Sequence, residues 1–325
     1  MATINQRFMA KAAQLYYSEH LSQAEIAKRL NTSRATVGRA LQQALKEGYV
    51  RIVFNFPKEQ HMEWESQLQN RYGLREVIIA QEGVAKEAAL YLARSMKANL
   101  SLGITWGRTM KAIVDAFAEN EYQRDVKFSG ISIVPLTGTS FPSEADPEDL
   151  HLSYSALLAN HFAELLKGTA YPFPAPLYVR SNELKRLLMQ EPEIQRILER
   201  ERSCDAAVFG IGALGTHSSL SALEPQRTDF ISDLQRNGAV GEIMGHPFDA
   251  GGKFISNEVS DRIIGISMED LRNIDLRIAV SYGDEKVPAI HAVCASQTAN
   301  VLITDGKTAA ALIDHGQGQG QIRLV

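Results

Sequence analysis

From Gly73 to His315, short apolar runs alternate with amphipathic helical stretches, and this alternation leaves few folds open to the chain. The runs Glu76–Ala80, Leu100–Ile104, Ile131–Leu136, Ala206–Ile211, Arg277–Val280 and Asn300–Ile303 read as strands. Between and after them, Lys86–Ala98, Met110–Phe117, Ser155–Leu166, Ser181–Leu188, Glu191–Arg202, Pro288–Ala295 and Lys307–His315 read as helices. Strands separated by helices form a parallel sheet covered on both faces. The expected class is α/β, with a Rossmann-like parallel-sheet domain spanning 73–315.

Residues 8–48 follow a different pattern, that of three helices. Phe8, Ala12, Leu15 and Tyr16 form a helical stripe. Ser22-Gln23-Ala24-Glu25 is a capping box that opens a second helix with Ile26, Ala27 and Leu30 facing inward. Asn31 tolerates the left-handed conformation of a tight turn. Thr32 or Ser33 then caps a third helix that buries Val37, Leu41 and Leu45 and stops at Gly48. Tyr49–Phe56 reads as a strand closed by Pro57. Two short helices joined by a few residues make a helix-turn-helix, whose second helix can enter a DNA major groove. On that helix Ser33, Arg34, Thr36 and Arg39 are candidates for contact with bases or phosphates, and Lys28 and Arg29 before it for contact with the backbone.

Charge supports that reading. Residues 1–58 hold nine Lys or Arg against three acids, a net +6, so with −4 overall the remainder stands at −10. A small basic region on a larger acidic one suits a polyanion partner. At 325 residues the chain has room for two domains. We expect a DNA-binding domain over 1–57, a linker or oligomerisation helix over 58–72, an effector domain over 73–315 and a disordered Gly-Gln tail over 316–325. In the linker, Trp64, Leu68 and Tyr72 share one helical face, which either pairs with a second copy or packs on its own domain. No apolar run reaches the roughly 18 residues a membrane span needs, and the N-terminus lacks a secretory pattern. Two cysteines make no disulfide framework, eight histidines show no metal spacing, and no cofactor is expected. A reduced, cytoplasmic setting is the expectation.

Two strand ends carry chemistry. Leu100–Ile104 runs into Thr105-Trp106-Gly107-Arg108-Thr109, and Ile131–Leu136 runs into Thr137-Gly138-Thr139-Ser140. In open α/β sheets ligands bind beyond the C-terminal strand ends, where small residues let backbone N–H groups close on a phosphate. Ordinary strand-to-helix turns have the same composition. Phe248-Asp249-Ala250-Gly251-Gly252 reads as a hairpin turn, Lys286 as a loop lysine, and His246 as a structural residue worth watching beside Asp249.

The set LYYSEHLSQAEIAKRLNTSRATVGRAL, ITWGRTM, PLTGT, VFGIGAL, AVGEIMGHPFDAGGK, EKVPAIHA and ANVLITD resembles the SorC/DeoR-type sugar-binding bacterial transcriptional regulators over nearly the whole chain. The resemblance implies a domain with the fold of sugar-phosphate isomerases and deaminases, a phosphorylated sugar effector, operator DNA, and a homo-oligomer, dimer or tetramer. It implies effector contacts from Thr105, Gly107, Arg108 and Thr109, from Thr137, Gly138 and Thr139, from Asp249 near the sugar hydroxyls, and from Lys286. Two departures are visible. Thr139 replaces a second Gly of the family's second loop, and Ser281-Tyr282-Gly283 replaces Ala-Gly-Gly before Lys286. The resulting expectation is a regulator, commonly a repressor, of a carbohydrate-catabolism operon. The alternative is an isomerase- or deaminase-like enzyme carrying a DNA-binding module, which would need a positioned acid–base pair.

Overall fold

The computed structural model describes residues 6–50, 59–119, 129–139, 155–215, 218–223, 227 and 229–319. The chain divides into two compact units, Met1–Glu59 and Gln60–Val325.

The first unit holds α1 (Gln6–Ala13), which continues as a π-helical turn over Gln14–Ser18, then α2 (Gln23–Arg29) and α3 (Arg34–Lys46). The capping box is formed: Ser22 Oγ accepts from the Glu25 N–H at 3.3 Å, and the Ser22 N–H donates to Glu25 Oε2 at 2.8 Å. Asn31 takes a left-handed φ of 49°. Ser33, not Thr32, caps α3. Met9, Ala12, Leu15, Ile26, Val37, Ala40, Leu41 and Ala44 make the core.

Two core expectations fail here. Leu45 is 38% exposed, because the buried stripe of α3 runs 37, 40, 41, 44 and Leu45 lies round the helix from it. Tyr16 is 36% exposed, because the wider π turn breaks the 3.6-residue register that would have placed it under Ala12. Tyr49 and Val50 lie in a turn, and the rest of the expected strand lies outside the described residues.

The second unit opens with α4 (Glu59–Tyr72). Its strands in chain order are β1 (Glu76–Ala80), β2 (Ser101–Ile104), β3 (Ser132–Pro135), β4 (Thr169–Ala170), β5 (Ala206–Gly210), β6 (Ala239–Ile243), β7 (His246–Asp249), β8 (Leu276–Val280) and β9 (Val301–Asp305). Its further helices are α5 (Val84–Ser95), α6 (Arg108–Glu119), α7 (Ser155–Leu166), α8 (Asn182–Leu188), α9 (Pro192–Arg202), α10 (Ser219–Leu223), α11 (Phe230–Arg236), α12 (Met268–Asn273), α13 (Val287–Ala295) and α14 (Gly306–Gln319). Seven strands form one sheet in the order β1-β9-β8-β5-β2-β3-β4, each neighbouring pair parallel. β6 and β7 form a separate antiparallel hairpin.

Side chains alternate across the sheet into two cores. Leu102, Ile104, Ile133, Val208 and Ile278 meet α5, α6 and α7 through Leu92, Ile113, Phe117 and Phe162. Val77, Ile79, Ala207 and Phe209 meet the opposite layer through Leu68, Ile197, Leu271, Ile290 and Leu312. Leu68 and Tyr72 are thus buried in this unit's own core with Trp64 packed against it, so the α4 stripe is spent within the chain. α14 runs on to Gln319, into the stretch whose composition suggested a disordered tail.

From β2 the chain steps outward to β3 and β4, then returns to β5 on the other side of β2 and proceeds through β8 and β9. The strand order reverses between β2 and β5. That is where an open α/β sheet leaves a crevice for a ligand.

Candidate functional site

In the first unit α2 and α3 pack closely: a Cβ on Gly38 would lie 3.4 Å from Gln23 Oε1, and Ala27 is buried. Lys28, Arg34 and Arg39 stand exposed. Arg29 pairs with Glu19 at 2.9 Å, with both side chains largely in water, where such a pair contributes little and exchanges readily. Ser33 and Thr36 are engaged elsewhere. Ser33 Oγ accepts from the Thr36 N–H at 3.1 Å and lies 2.8 Å from Thr36 Oγ1, so both hydroxyls shape the start of α3. Gln42 is also exposed, about one turn beyond Arg39. A guanidinium can donate two bonds to guanine and a glutamine amide can pair with adenine.

In the second unit, Gly107 takes φ 109°, a conformation closed to most side chains, and its carbonyl accepts from the Lys111 N–H at 3.0 Å. It therefore caps α6, whose first N–H groups, from Arg108, Thr109 and Met110, have no acceptor within the helix. Thr105 is buried, with its N–H on the Val208 carbonyl at 3.3 Å. Thr109 lies across Gly210, where a Cβ would approach its Oγ1 to 3.6 Å. The positive end of α6 thus opens at the reversal of strand order.

Three charged groups act on Lys286. Burial lowers the pKa of Lys286, Glu285 opposes this, Arg108 adds to it, and Glu242 opposes it again. Glu242 is absent from the expected contacts. It is 3% exposed, accepts from the Gly245 N–H through Oε2 at 2.7 Å, and exchanges backbone bonds of 2.9 and 3.0 Å with Gly212. A Cβ on Gly212 would meet Glu242 Oε1 at 2.2 Å, so a side chain there would push the Glu242 carboxylate out of its present position. A carboxylate inside the otherwise apolar strand Ala239–Ile243 was the available signal.

The loop after β3 differs from expectation. The Gly138 N–H donates to the Ile264 carbonyl at 3.0 Å and the Thr139 N–H to the Ala175 carbonyl at 2.9 Å. Neither amide is free for a ligand. Gly138 is needed for space, since a Cβ would lie 2.5 Å from the Pro176 carbonyl oxygen. What this loop offers is Thr137, 2% exposed, whose hydroxyl has no hydrogen-bond partner among the described residues.

Asp249 has a structural part as well. Its Oδ1 accepts from the Gly251 and Lys253 N–H groups, each at 2.9 Å, which closes the hairpin turn. It lies opposite Ala239 on the hairpin, whereas Glu242 lies opposite Pro247, and Glu242 is the hairpin acid that acts on Lys286. His246 does not pair with Asp249. Desolvation, then Lys185, push its pKa down to about 4, and Asp261 partly offsets them. It is therefore neutral at pH 7. Among the described residues no cluster could hold a metal ion and no helix is long and apolar enough to cross a membrane.

Residues 57–314 match the Sugar-bind family model, a sugar-binding domain, and residues 14–47 match sigma-70 region 4. The deoxyribonucleoside regulator of Bacillus subtilis is 32% identical over 319 residues, covering 95% of this chain and 98% of its own length. The sorbitol operon regulator of Klebsiella pneumoniae is 26% identical over 317 residues, covering 94% and 98%. The crystal structure of the full-length sorbitol operon regulator SorC from Klebsiella pneumoniae aligns with a TM-score of 0.71 at 25% identity, over 94% of this chain and 98% of its own. A DeoR family regulator from Listeria monocytogenes aligns with a TM-score of 0.67 at 25% identity, over 78% and 99%.

Proposed function

This chain belongs to the SorC/DeoR-type family of transcriptional regulators, which join a helix-turn-helix to a sugar-binding domain, and from that premise we propose that a phosphorylated sugar gates its binding to an operator. What supports the phosphate is that Arg108 opens α6 at the reversal of strand order and lies close enough to Lys286 to lower its pKa. A dianionic phosphate suits two cations and a helix N-terminus. Glu242 is placed for sugar hydroxyls, and Thr137 adds a hydroxyl. The ligand shifts operator affinity by as much as it prefers one arrangement of the protein over another, typically about 5–150-fold.

On DNA, Arg34 and Arg39 read bases while Lys28 and Arg29 hold the backbone. The regulator works as a dimer or tetramer in the cytoplasm, most simply as a repressor of a carbohydrate-catabolism operon, since half-sites spaced by whole DNA turns need a symmetric protein. The isomerase or deaminase alternative is disfavoured by His246, which faces Lys185 and Asp261 and forms no acid–base pair with Asp249.

Calorimetry with sugars, sugar phosphates and inorganic phosphate tests the pocket. Equal affinity for a sugar and its phosphate would refute a phosphate site. Anisotropy with operator DNA tests the other surface: Arg34→Ala and Arg39→Ala should each cost roughly 1–3 kcal/mol and relax sequence preference. Light scattering tests assembly, and a monomer even on DNA would contradict it.

A further inference from the structure

Trp106 stands between Thr105 and Gly107 in the loop that opens α6. Its ring is partly exposed, yet its indole Nε1 is fully covered and has no hydrogen-bond partner among the described residues. Thr137 Oγ1 is in the same condition. Buried polar groups are nearly always paired, and an orphan in a native fold marks a partner that arrives from outside or a stored cost.

These two orphans follow adjacent strands. β2 and β3 pair in parallel with Ile104 opposite Pro135, and the Leu136 N–H continues the ladder to the Ile104 carbonyl at 2.9 Å. Trp106 and Thr137 each lie two residues beyond that last pair, just past the ends of β2 and β3. Both stand at the end of the sheet where Arg108 begins α6. An indole N–H only donates, whereas a threonine hydroxyl donates or accepts. The group that satisfies both must accept a bond on one side and can donate on the other, as a sugar hydroxyl does. Phosphate oxygens have Arg108, Lys286 and the α6 amides to go to.

We propose that Trp106 is a specificity-determining residue of the effector site: its indole N–H, with the Thr137 hydroxyl beside it, takes a hydroxyl of the sugar moiety. This rests on the reading of the site as a sugar-phosphate pocket. A site built to bond a hydroxyl rejects the analogue that lacks it, because its own buried groups are then left unpaired. Trp106 thereby separates sugar phosphates from bare phosphate and from one another.

The test is calorimetry on the full chain with inorganic phosphate, ribose 5-phosphate, glucose 6-phosphate and fructose 6-phosphate. Wild type should bind at least one sugar phosphate more tightly than inorganic phosphate. Trp106→Phe, which keeps a ring and removes the N–H, should keep the phosphate affinity and lose about tenfold for that sugar phosphate. A variant that keeps the wild-type ratio overturns the role of Trp106 and leaves the phosphate site standing. Wild type that binds none of the four compounds removes both. Should Trp106→Phe fail to fold, Trp64→Phe decides, because the chain has two tryptophans and Trp106 is then the sole tryptophan, read by selective indole excitation. Its fluorescence should change with the bound sugar phosphate and not with inorganic phosphate, and an emission unmoved by a bound sugar phosphate overturns the assignment.

Discussion

The loops after β2 and β3 are built from the same small residues, Thr and Gly, and they do opposite things with their backbone. After β2, Gly107 turns the chain so that α6 begins with open N–H groups. After β3, Gly138 and Thr139 give theirs to Ile264 and Ala175, and the loop is stitched into the body of the domain. One glycine serves conformation and the other serves space. A Gly-Thr loop at a strand end therefore becomes a phosphate cradle only if no other backbone reaches it first.

The comparison extends to orphaned atoms, and the largest predicted effect is a control on that point. Glu201 on α9 is fully buried, with neither carboxylate oxygen hydrogen-bonded among the described residues, and burial raises its pKa well above the ordinary value. The folded state then holds a proton that the unfolded chain releases above about pH 4.3. Stability is greatest below that pH and falls as pH rises towards the folded-state pKa, by up to about 1.4 kcal/mol per pH unit. Urea denaturation across pH should show this slope in wild type and a flatter one in Glu201→Gln. Parallel slopes would mean the carboxyl is ionised in the fold. Ligand affinity should be untouched, unlike at Thr137.

Next in size is Lys286→Gln. It should weaken a sugar phosphate by about 1.5–3 kcal/mol, since the lost bond is to a charged group. An unchanged calorimetric affinity would place the phosphate elsewhere. The two glycines then form a matched pair. Gly138→Ala drives a Cβ into the Pro176 carbonyl and should cost about 1–3 kcal/mol of stability without altering phosphate affinity. Gly107→Ala meets no atom within 4 Å but resists its φ, so the α6 amides turn and phosphate affinity drops. Matching signatures for the two would erase the distinction between the loops. The smallest change is Thr137→Val, which should leave unliganded stability near wild type and weaken the sugar phosphate by roughly 0.5–1.5 kcal/mol. Calorimetry beside a thermal melt reads both.

Much of the fold was legible because its signals are local. The capping box at Ser22, the left-handed Asn31 and the runs at Glu76–Ala80 and Ser155–Leu166 sit where their own residues placed them. Other features depend on distant chain. β4 is two residues long and exists because β3 offers it an edge. Leu45 lies round α3 from its buried stripe, and Tyr16 sits in a π turn that breaks the helical period, so these two are local exceptions. In the candidate site, the strand end after Ile104 points to Arg108, and Lys286 follows from the family resemblance alone, whereas Glu242 is visible only as a carboxylate inside an apolar strand. Its partner Gly212 lies thirty residues away in sequence, beyond the reach of a local pattern.

Helix α4 has a practical consequence for anyone who cuts this chain. β1 is an outer strand paired only with β9, and the Ile79 N–H on its open side donates to Glu65 Oε1 of α4 at 2.8 Å. Leu68 and Tyr72 fill the core beneath. A fragment that starts at Gly73 would bare a strand edge and an apolar trough together, the combination that recruits stray strands and precipitates. The soluble fragment should begin near Gln60. A protease that separates the two units should leave α4 on the larger piece.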